Sequence, residues 1–161
     1  MPYRVYLPPG YAEGTRHYAS LYLLHGMGGS DREWQDLGIA SASDRLIAAG
    51  QIAPLIIVVP EGAGSYWVDQ ASGGEQWGHY TAVDLVNEID ATYRTIARTR
   101  SRAIGGLSMG AHGALTDLGV RHEWHLWAGD HSGTYWSAHL DDYLRFYNAS
   151  LSSRAARSTL S

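Results

Sequence analysis

Short apolar runs alternate along this chain with segments whose apolar residues recur at helical spacing. Five runs predict β-strands: Arg4–Leu7, Ser20–Leu24, Leu55–Val59, Arg102–Gly106 and Glu123–Trp127. The third run is continuously apolar and rich in β-branched residues, which is typical of a central strand covered on both faces. The alternation of strand-like and helix-like segments predicts an α/β fold with a mostly parallel sheet flanked by helices.

Two helices are predicted between these strands. Ile39–Ala49 has apolar residues at helical spacing and is followed by Gly50, a residue favoured just after a helix end. Thr81 is predicted as the N-cap of the second helix, with Asp84 in its first turn. One face of that helix is apolar: Leu85, Ile89, Tyr93 and Ile96.

Two further helices are predicted towards the end of the chain. Met109–Leu118 is rich in Ala and Gly, and a final amphipathic helix follows a loop over Ala128–Thr134. Its apolar stripe consists of Trp136, Leu140, Tyr143, Leu144 and Tyr147. No repeat or linker divides the 161 residues, so we expect a single domain over residues 1–161.

Composition excludes several classes of partner. The net charge is −4, and the twelve basic residues are all Arg and scattered, which argues against a nucleic-acid or anionic-membrane partner. There is no Cys, so thiolate metal sites and a cysteine nucleophile are excluded. The longest apolar run, Pro54–Pro60, is too short to span a bilayer. No signal-peptide pattern precedes the first strand, so we expect a cytoplasmic protein.

The segment Gly106-Leu107-Ser108-Met109-Gly110 lies between a predicted strand and a predicted helix. A G-x-S-x-G at such a junction is typical of the nucleophile elbow of serine hydrolases, where a strained turn lifts the serine hydroxyl out of the sheet. The two glycines let the strand and helix approach without a Cβ clash. The alternative is that Ser108 is an ordinary serine in a glycine-rich turn.

A nucleophilic serine needs a base within hydrogen-bonding reach, and eight histidines compete for that role. His131 follows the last predicted strand, where an α/β-hydrolase presents its histidine, although a solvated loop residue is the alternative. His25 precedes a glycine cluster and fits a turn, and His112 is one helical turn beyond Ser108. The segment His122–His125 does not match H-E-x-x-H, so no metal site is predicted.

Taken together, several segments resemble the esterase family of α/β-hydrolases that contains esterase D, feruloyl esterases and the antigen 85 mycolyltransferases. The matching segments are Val5–Tyr11, Leu23–Ser30, Val59–Gly62, Tyr93–Ile96, Ala103–Gly110 and Trp127–Tyr147. They cover nearly the whole chain. The resemblance implies a serine esterase that acts on a small-molecule ester without a cofactor or metal.

The resemblance also implies roles for individual residues. Ser108 looks like the nucleophile and His131 like the general base, with the backbone N–H groups of Met27 and Met109 as the oxyanion hole. The other residues implied to contact substrate are Gly26, in the glycine-rich turn, and Trp67 and Asp69, which match a region that lines the family's acyl pocket.

The chain departs from the family between the serine and the histidine. Only 23 positions separate Ser108 from His131, where the family places two further strand–helix units, and one such unit takes roughly 30 residues. We therefore expect an internally shortened esterase that lacks the strand carrying the catalytic acid. A shortened sheet also leaves an edge exposed, which favours a homodimer.

The catalytic acid is therefore open. Asp130 is adjacent to His131, a poor geometry for orienting its ring, and Asp117 is expected about two and a half turns down the elbow helix, too far from the site. Asp69, Asp141 and Asp142 stay open as candidates. Without a substitute acid we expect a Ser–His dyad of weak activity, because losing the acid costs roughly 10⁴-fold in kcat in well-studied triads. Two rival interpretations stay open: a non-catalytic remnant that serves as a binding module, and an acyltransferase.

Overall fold

The computed structural model describes residues 1–71, 73–116 and 128–156. Its strands are β1 (Tyr3–Tyr6), β2 (Ala19–Leu24), β3 (Leu55–Pro60) and β4 (Arg102–Gly106). Its α-helices are α1 (Glu33–Asp36), α2 (Ile39–Ala48), α3 (Trp77–His79), α4 (Leu85–Thr92), α5 (Met109–Thr116), α6 (Gly133–Ala138) and α7 (Leu140–Ala156). The predicted strand Glu123–Trp127 lies outside the described residues, as do His122, His125 and Asp117.

The four strands form one mixed sheet in the order β1-β3-β2-β4. β2 pairs in parallel with both β3 and β4, with Leu21 opposite Ile57 on one side and Ala103 on the other. β1 is antiparallel to β3 and places Val5 opposite Val58. The prediction of a mostly parallel sheet flanked by helices is confirmed.

Two cores cover the two faces of the sheet, because successive side chains of a strand point to opposite faces. Ile57 and Val59 of β3 join the cluster packed under α1, α2 and α7, which includes Trp34 and Leu144. The alternate residues Ile56 and Val58 pack on the other face, against α4. This two-sided burial explains why β3 is apolar throughout.

The helix with its predicted N-cap at Thr81 has its N-cap five residues earlier, at Gln76. α3 starts at Trp77, and a π-helical turn, Tyr80–Asp84, joins it to α4. The Thr81 hydroxyl donates to the Trp77 carbonyl (2.8 Å), a bond within the helix, so the N-cap prediction is wrong. The helix also ends at Thr92, so Ile96 does not belong to its apolar face.

The final predicted helix is two helices, broken at His139. α6 begins at Gly133, inside the predicted loop, and Ser132 caps it by accepting a bond from the Tyr135 N–H. The predicted apolar stripe, including Trp136 and Tyr147, does face the core. α1 was not predicted, because four residues are too few to show helical periodicity.

Candidate active site

The carboxyl ends of the parallel strands meet at one edge of the sheet. His25 follows β2, Glu61 follows β3, and Ser108 lies two residues after β4. Open α/β sheets bind ligands at this edge, because loops from different strands converge there. The predicted nucleophile Ser108 therefore lies at the edge where this fold binds ligands.

Ser108 lies in a sharp turn between β4 and α5. Its φ angle is +51°, in the left-handed region, which costs a non-glycine residue on the order of 1 kcal/mol or more. The turn is tight because both flanking glycines touch backbone. A Cβ at Gly106 would lie 2.8 Å from the Leu24 carbonyl oxygen, and one at Gly110 would lie 2.8 Å from the His25 oxygen. Any side chain at either position would therefore separate α5 from the end of β2.

His131 lies directly against Ser108, with 2.9 Å between His131 Nε2 and Ser108 Oγ. The imidazole is exposed on one side and packs against Trp136 on the other, with ring centroids 4.8 Å apart and nearly perpendicular planes. Trp136 in turn packs against the core under α7. The 23-residue separation therefore does not prevent this serine and this histidine from meeting.

Among the described residues, no carboxylate is hydrogen-bonded to His131 in the way that the acid of a catalytic triad would be. Within the described ranges, no acceptor lies within hydrogen-bonding distance of His131 Nδ1. The four carboxylates that the structure describes have other partners: Asp130 accepts from the Ser132 hydroxyl, Asp141 pairs with Arg45, Asp142 with His139, and Asp69 accepts from the His79 N–H. Asp117 lies outside the described residues. The described geometry is a Ser–His pair.

The turn Gly26–Gly29 lies beside the serine. Its closing bond runs from the Gly29 N–H to the Gly26 carbonyl (3.1 Å), and a Cβ placed on Gly26 would lie 3.4 Å from Ser108 Cβ. Among the described residues, no acceptor is bonded to the backbone N–H of Met27 or of Met109. Two N–H donors without an acceptor among the described residues therefore belong to this region, one in the turn beside Ser108 and one at the residue that follows Ser108.

His25 is buried and already fully bonded. Its Nδ1 lies 2.8 Å from the Gly26 carbonyl and its Nε2 accepts from the Gly62 N–H (2.9 Å), which together require the neutral tautomer protonated at Nδ1. Neither nitrogen is available as a base. His25 therefore holds the loops after β2 and β3 together.

Glu61 reinforces the same loop. Burial raises the pKa of its carboxyl, but bonds from the backbone N–H groups of Ala63, Asp31 and Gly62 outweigh that effect. The pKa of Glu61 therefore lies below its ordinary value, and the carboxylate is charged at neutral pH.

Trp67 and Asp69 occupy the loop after β3. Trp67 is only 2% exposed, has a φ of +62°, and donates its Nε1–H to the His25 carbonyl (3.3 Å). A Cβ on Gly62 or on Gly113 would strike the Trp67 side chain at 2.6 Å, so the ring is wedged between the loop and α5. Asp69 is exposed and its carboxylate caps α3 through the His79 N–H. Their role in an acyl pocket stays a prediction.

Sequence reasoning missed Glu33 and the contact of Trp136 with His131. The Glu33 carboxylate accepts the Gly26 N–H (2.7 Å), and the neighbouring Trp34 indole donates to the Leu24 carbonyl (3.1 Å). The available sequence pattern was the S-x-x-E spacing of Ser30 and Glu33, which resembles a capping box. The structure uses that glutamate on the glycine turn instead.

The described residues add two negative findings. No group of three acidic or histidine side chains there is arranged to hold a metal ion. None of the helices in that part of the chain combines the length and apolar character of a membrane span.

A mostly parallel sheet flanked by helices, with a serine on a strained strand–helix turn beside a histidine, has the fold of an α/β-hydrolase. The chain belongs to the esterase family described as "Putative esterase", whose model matches residues 1–118. This match covers β1 through α5 and ends before His131.

Individual relatives agree with the family. Esterase Rv1288 of Mycobacterium tuberculosis is 35% identical over 133 residues, which are 80% of this chain and 28% of that protein. An endo-1,4-beta-xylanase/feruloyl esterase of Xylanibacter ruminicola is 35% identical over 114 residues, 66% of this chain and 16% of that one. Among solved structures, a ferulic acid esterase superposes with a TM-score of 0.64 at 33% identity, covering 70% of this chain and 46% of its own. The chain thus spans less than half the length of these relatives.

Proposed function

We propose that the protein hydrolyses carboxylic esters through Ser108 as nucleophile and His131 as general base. The observation that carries the proposal is the 2.9 Å contact between His131 Nε2 and Ser108 Oγ, at the edge of the sheet where α/β-hydrolases carry out their chemistry. The esterase relatives support ester hydrolysis as the reaction class.

The reaction divides into two balanced steps. Ser108 Oγ attacks the acyl carbon while His131 Nε2 takes its proton, and the same proton passes to the departing alcohol as the acyl-serine forms. Water then attacks the acyl-serine, again giving its proton to His131, and the acid leaves as Ser108 recovers its hydrogen.

Each tetrahedral intermediate carries an oxyanion that needs preorganised donors. The backbone N–H groups of Met27 and Met109 suit this role because neither has an acceptor among the described residues. Met109 directly follows Ser108, and Met27 belongs to the turn whose Gly26 lies beside Ser108. Gly26 is proposed to contact the substrate because its Cβ position lies 3.4 Å from Ser108 Cβ. Trp67 holds the loop after β3 against the end of β2 through its bond to the His25 carbonyl. Asp69 fixes the far part of that loop through the His79 N–H.

The absence of an acceptor at His131 Nδ1, within the described ranges, favours a dyad of weak activity. Removing the acid from a full triad lowers kcat by about 10⁴-fold, yet the oxyanion hole and binding retain catalysis above water. We therefore expect small or activated esters to be the substrates. The predicted homodimer and cytoplasmic location remain predictions, and light scattering of the purified chain tests the first.

The test is intact-mass spectrometry after treatment with a fluorophosphonate, together with hydrolysis of p-nitrophenyl acetate. Wild type should gain one adduct as fluoride leaves, and Ser108→Ala should gain none and hydrolyse at the background rate. Ser41→Ala, which alters an exposed serine on α2, is the matched control and should behave as wild type. Equal hydrolysis by wild type and Ser108→Ala would remove this mechanism. A folded wild type without adduct would indicate a non-catalytic remnant, and ester products formed with an added alcohol would indicate acyl transfer.

A further inference from the structure

The turn Gly26–Gly29 must place one N–H towards Ser108, yet a four-residue turn rich in glycine has little rigidity of its own. Gly28 has a φ of +75°, and Cβ atoms built there would meet nothing within 4 Å. The turn's own closing bond, from Gly29 to Gly26, fixes only its ends. Something outside the turn has to fix its orientation against the serine.

Glu33 makes that contact. Its Oε2 accepts the Gly26 N–H at 2.7 Å, and a Cβ built on Gly29 would lie 2.7 to 3.0 Å from all three atoms of the same carboxylate group. The carboxylate therefore packs on both ends of the turn at once. Only glycine at position 29 leaves room for it.

Glu33 is itself held in place by its neighbours. Its N–H donates to the Ser30 carbonyl (3.1 Å), and its own carbonyl accepts from the Leu37 N–H (3.0 Å). The next residue, Trp34, is buried and bonded to the Leu24 carbonyl at the end of β2. The carboxylate is thus tied to the same strand end on which the turn begins.

Two of the four N–H groups of the turn have acceptors. The Gly26 N–H is occupied by Glu33, and the Gly29 N–H by the Gly26 carbonyl. Among the described residues, the N–H groups of Met27 and Gly28 have no acceptor, and Met27 directly follows the glycine whose Cβ position lies 3.4 Å from Ser108 Cβ. Without the carboxylate, the Gly26 N–H would be unpaired and the peptide free to rotate.

We propose that Glu33 is a positioning residue for ester hydrolysis, which holds the Gly26–Gly29 turn so that the Met27 N–H meets the oxyanion. The inference rests on the proposed function of Ser108 and Met27. Glu33 acts through its hydrogen bond and not through its charge, because a negative carboxylate beside an oxyanion disfavours the negative charge that develops there.

The test compares three substitutions at one position. Glu33→Gln keeps an acceptor oxygen at the same reach and removes the charge, whereas Glu33→Asp keeps the charge and loses the reach; Glu33→Ala loses both. Asp36→Ala, which changes an exposed carboxylate on the same short helix, is the matched control. The readouts are kcat and KM for p-nitrophenyl acetate, and the inhibition constant of an aryl trifluoromethyl ketone, whose serine hemiketal carries an oxyanion.

We expect kcat to fall about 10-fold or more in Glu33→Ala and Glu33→Asp with KM nearly unchanged, because the oxyanion exists only beyond the ground state. Inhibition by the ketone should weaken by a similar factor. Glu33→Gln and Asp36→Ala should stay within about threefold of wild type. If Glu33→Ala does not fold, the difference in kcat between Glu33→Asp and Glu33→Gln provides the same test.

Three outcomes would overturn the inference. They are an unchanged kcat in Glu33→Asp, a Gln variant as impaired as the Asp variant, and a loss confined to KM. These results are separate from failure of the proposed function, which would appear as a wild type that neither hydrolyses the ester nor binds the ketone.

Discussion

Gly110→Ala is the substitution that most directly tests how the serine turn is built. In most helices this change stabilises the protein by up to about 1 kcal/mol, because alanine is the better helix former. Here the added Cβ would lie 2.6 Å from the Leu24 carbonyl carbon and 2.8 Å from the His25 carbonyl oxygen, whereas ordinary contact begins at 3.4 Å. Both atoms are backbone atoms at the end of β2, so no side-chain rotation relieves the clash.

The helix must therefore retreat from the strand by on the order of 1 Å. Overpacking of this kind costs about 1–3 kcal/mol, which offsets or exceeds the gain of about 1 kcal/mol in helix propensity, so we expect a net loss of unfolding free energy of up to about 2 kcal/mol. The retreat also carries Ser108 away from the Gly26–Gly29 turn. A misplacement of about 1 Å can cost on the order of 10²-fold in rate, so activity should fall more than stability.

The assay combines urea unfolding with hydrolysis of p-nitrophenyl acetate. Gly14→Ala is the control, because that glycine is exposed and a Cβ there would meet its nearest neighbour at 3.6 Å. A Gly110→Ala protein that is as active and as stable as wild type would refute the reasoning. It would mean that close backbone approach does not determine the geometry of the turn.

Three further predictions concern the surroundings of the site. Trp136→Leu should lower kcat by about tenfold with little change in KM, because His131 loses the ring that orients it; an unchanged kcat would contradict this. Glu61→Gln should lower the melting temperature at neutral pH. Because the folded-state pKa of Glu61 lies below the ordinary 4.5, its stabilisation is complete above that value and disappears as the pH falls through the lower folded-state pKa. The two melting curves should therefore converge in acid, and a constant gap would argue against the assignment. Leu144→Ala should cost about 2–5 kcal/mol in urea unfolding, since Leu144 is buried in the core under α7, and a loss below 1 kcal/mol would show that this core repacks.

The sheet could be predicted closely because its strands depend on local patterns. β4 has the predicted bounds, and β3 differs by one residue, since continuous burial on both faces leaves an unmistakable apolar run. The start of the helix at Trp77 was predicted wrongly because its cap comes from Asp69, eight residues upstream of Trp77. A cap supplied from a loop leaves no pattern at the helix itself.

The site was predicted in part for the same reason. The glycines around Ser108 and the loop position of His131 are local features, and the structure brings these two side chains together. The support provided by Glu33 and Trp136 depends on three-dimensional packing that composition and spacing do not encode. The two hydrogen bonds of buried His25 could not be predicted either, because a histidine before glycines predicts a turn without showing which ring nitrogens are bonded.

Trp34 and Trp67 are natural fluorescent probes of the structure around Ser108. Their indoles donate to the carbonyls of two consecutive residues, Leu24 and His25, at the end of β2 that packs against the turn of Ser108. Their emission should shift to longer wavelength when that strand end opens to water. Fluorescence of variants that keep only one of these tryptophans can therefore report whether the end of β2 is intact in the absence of substrate.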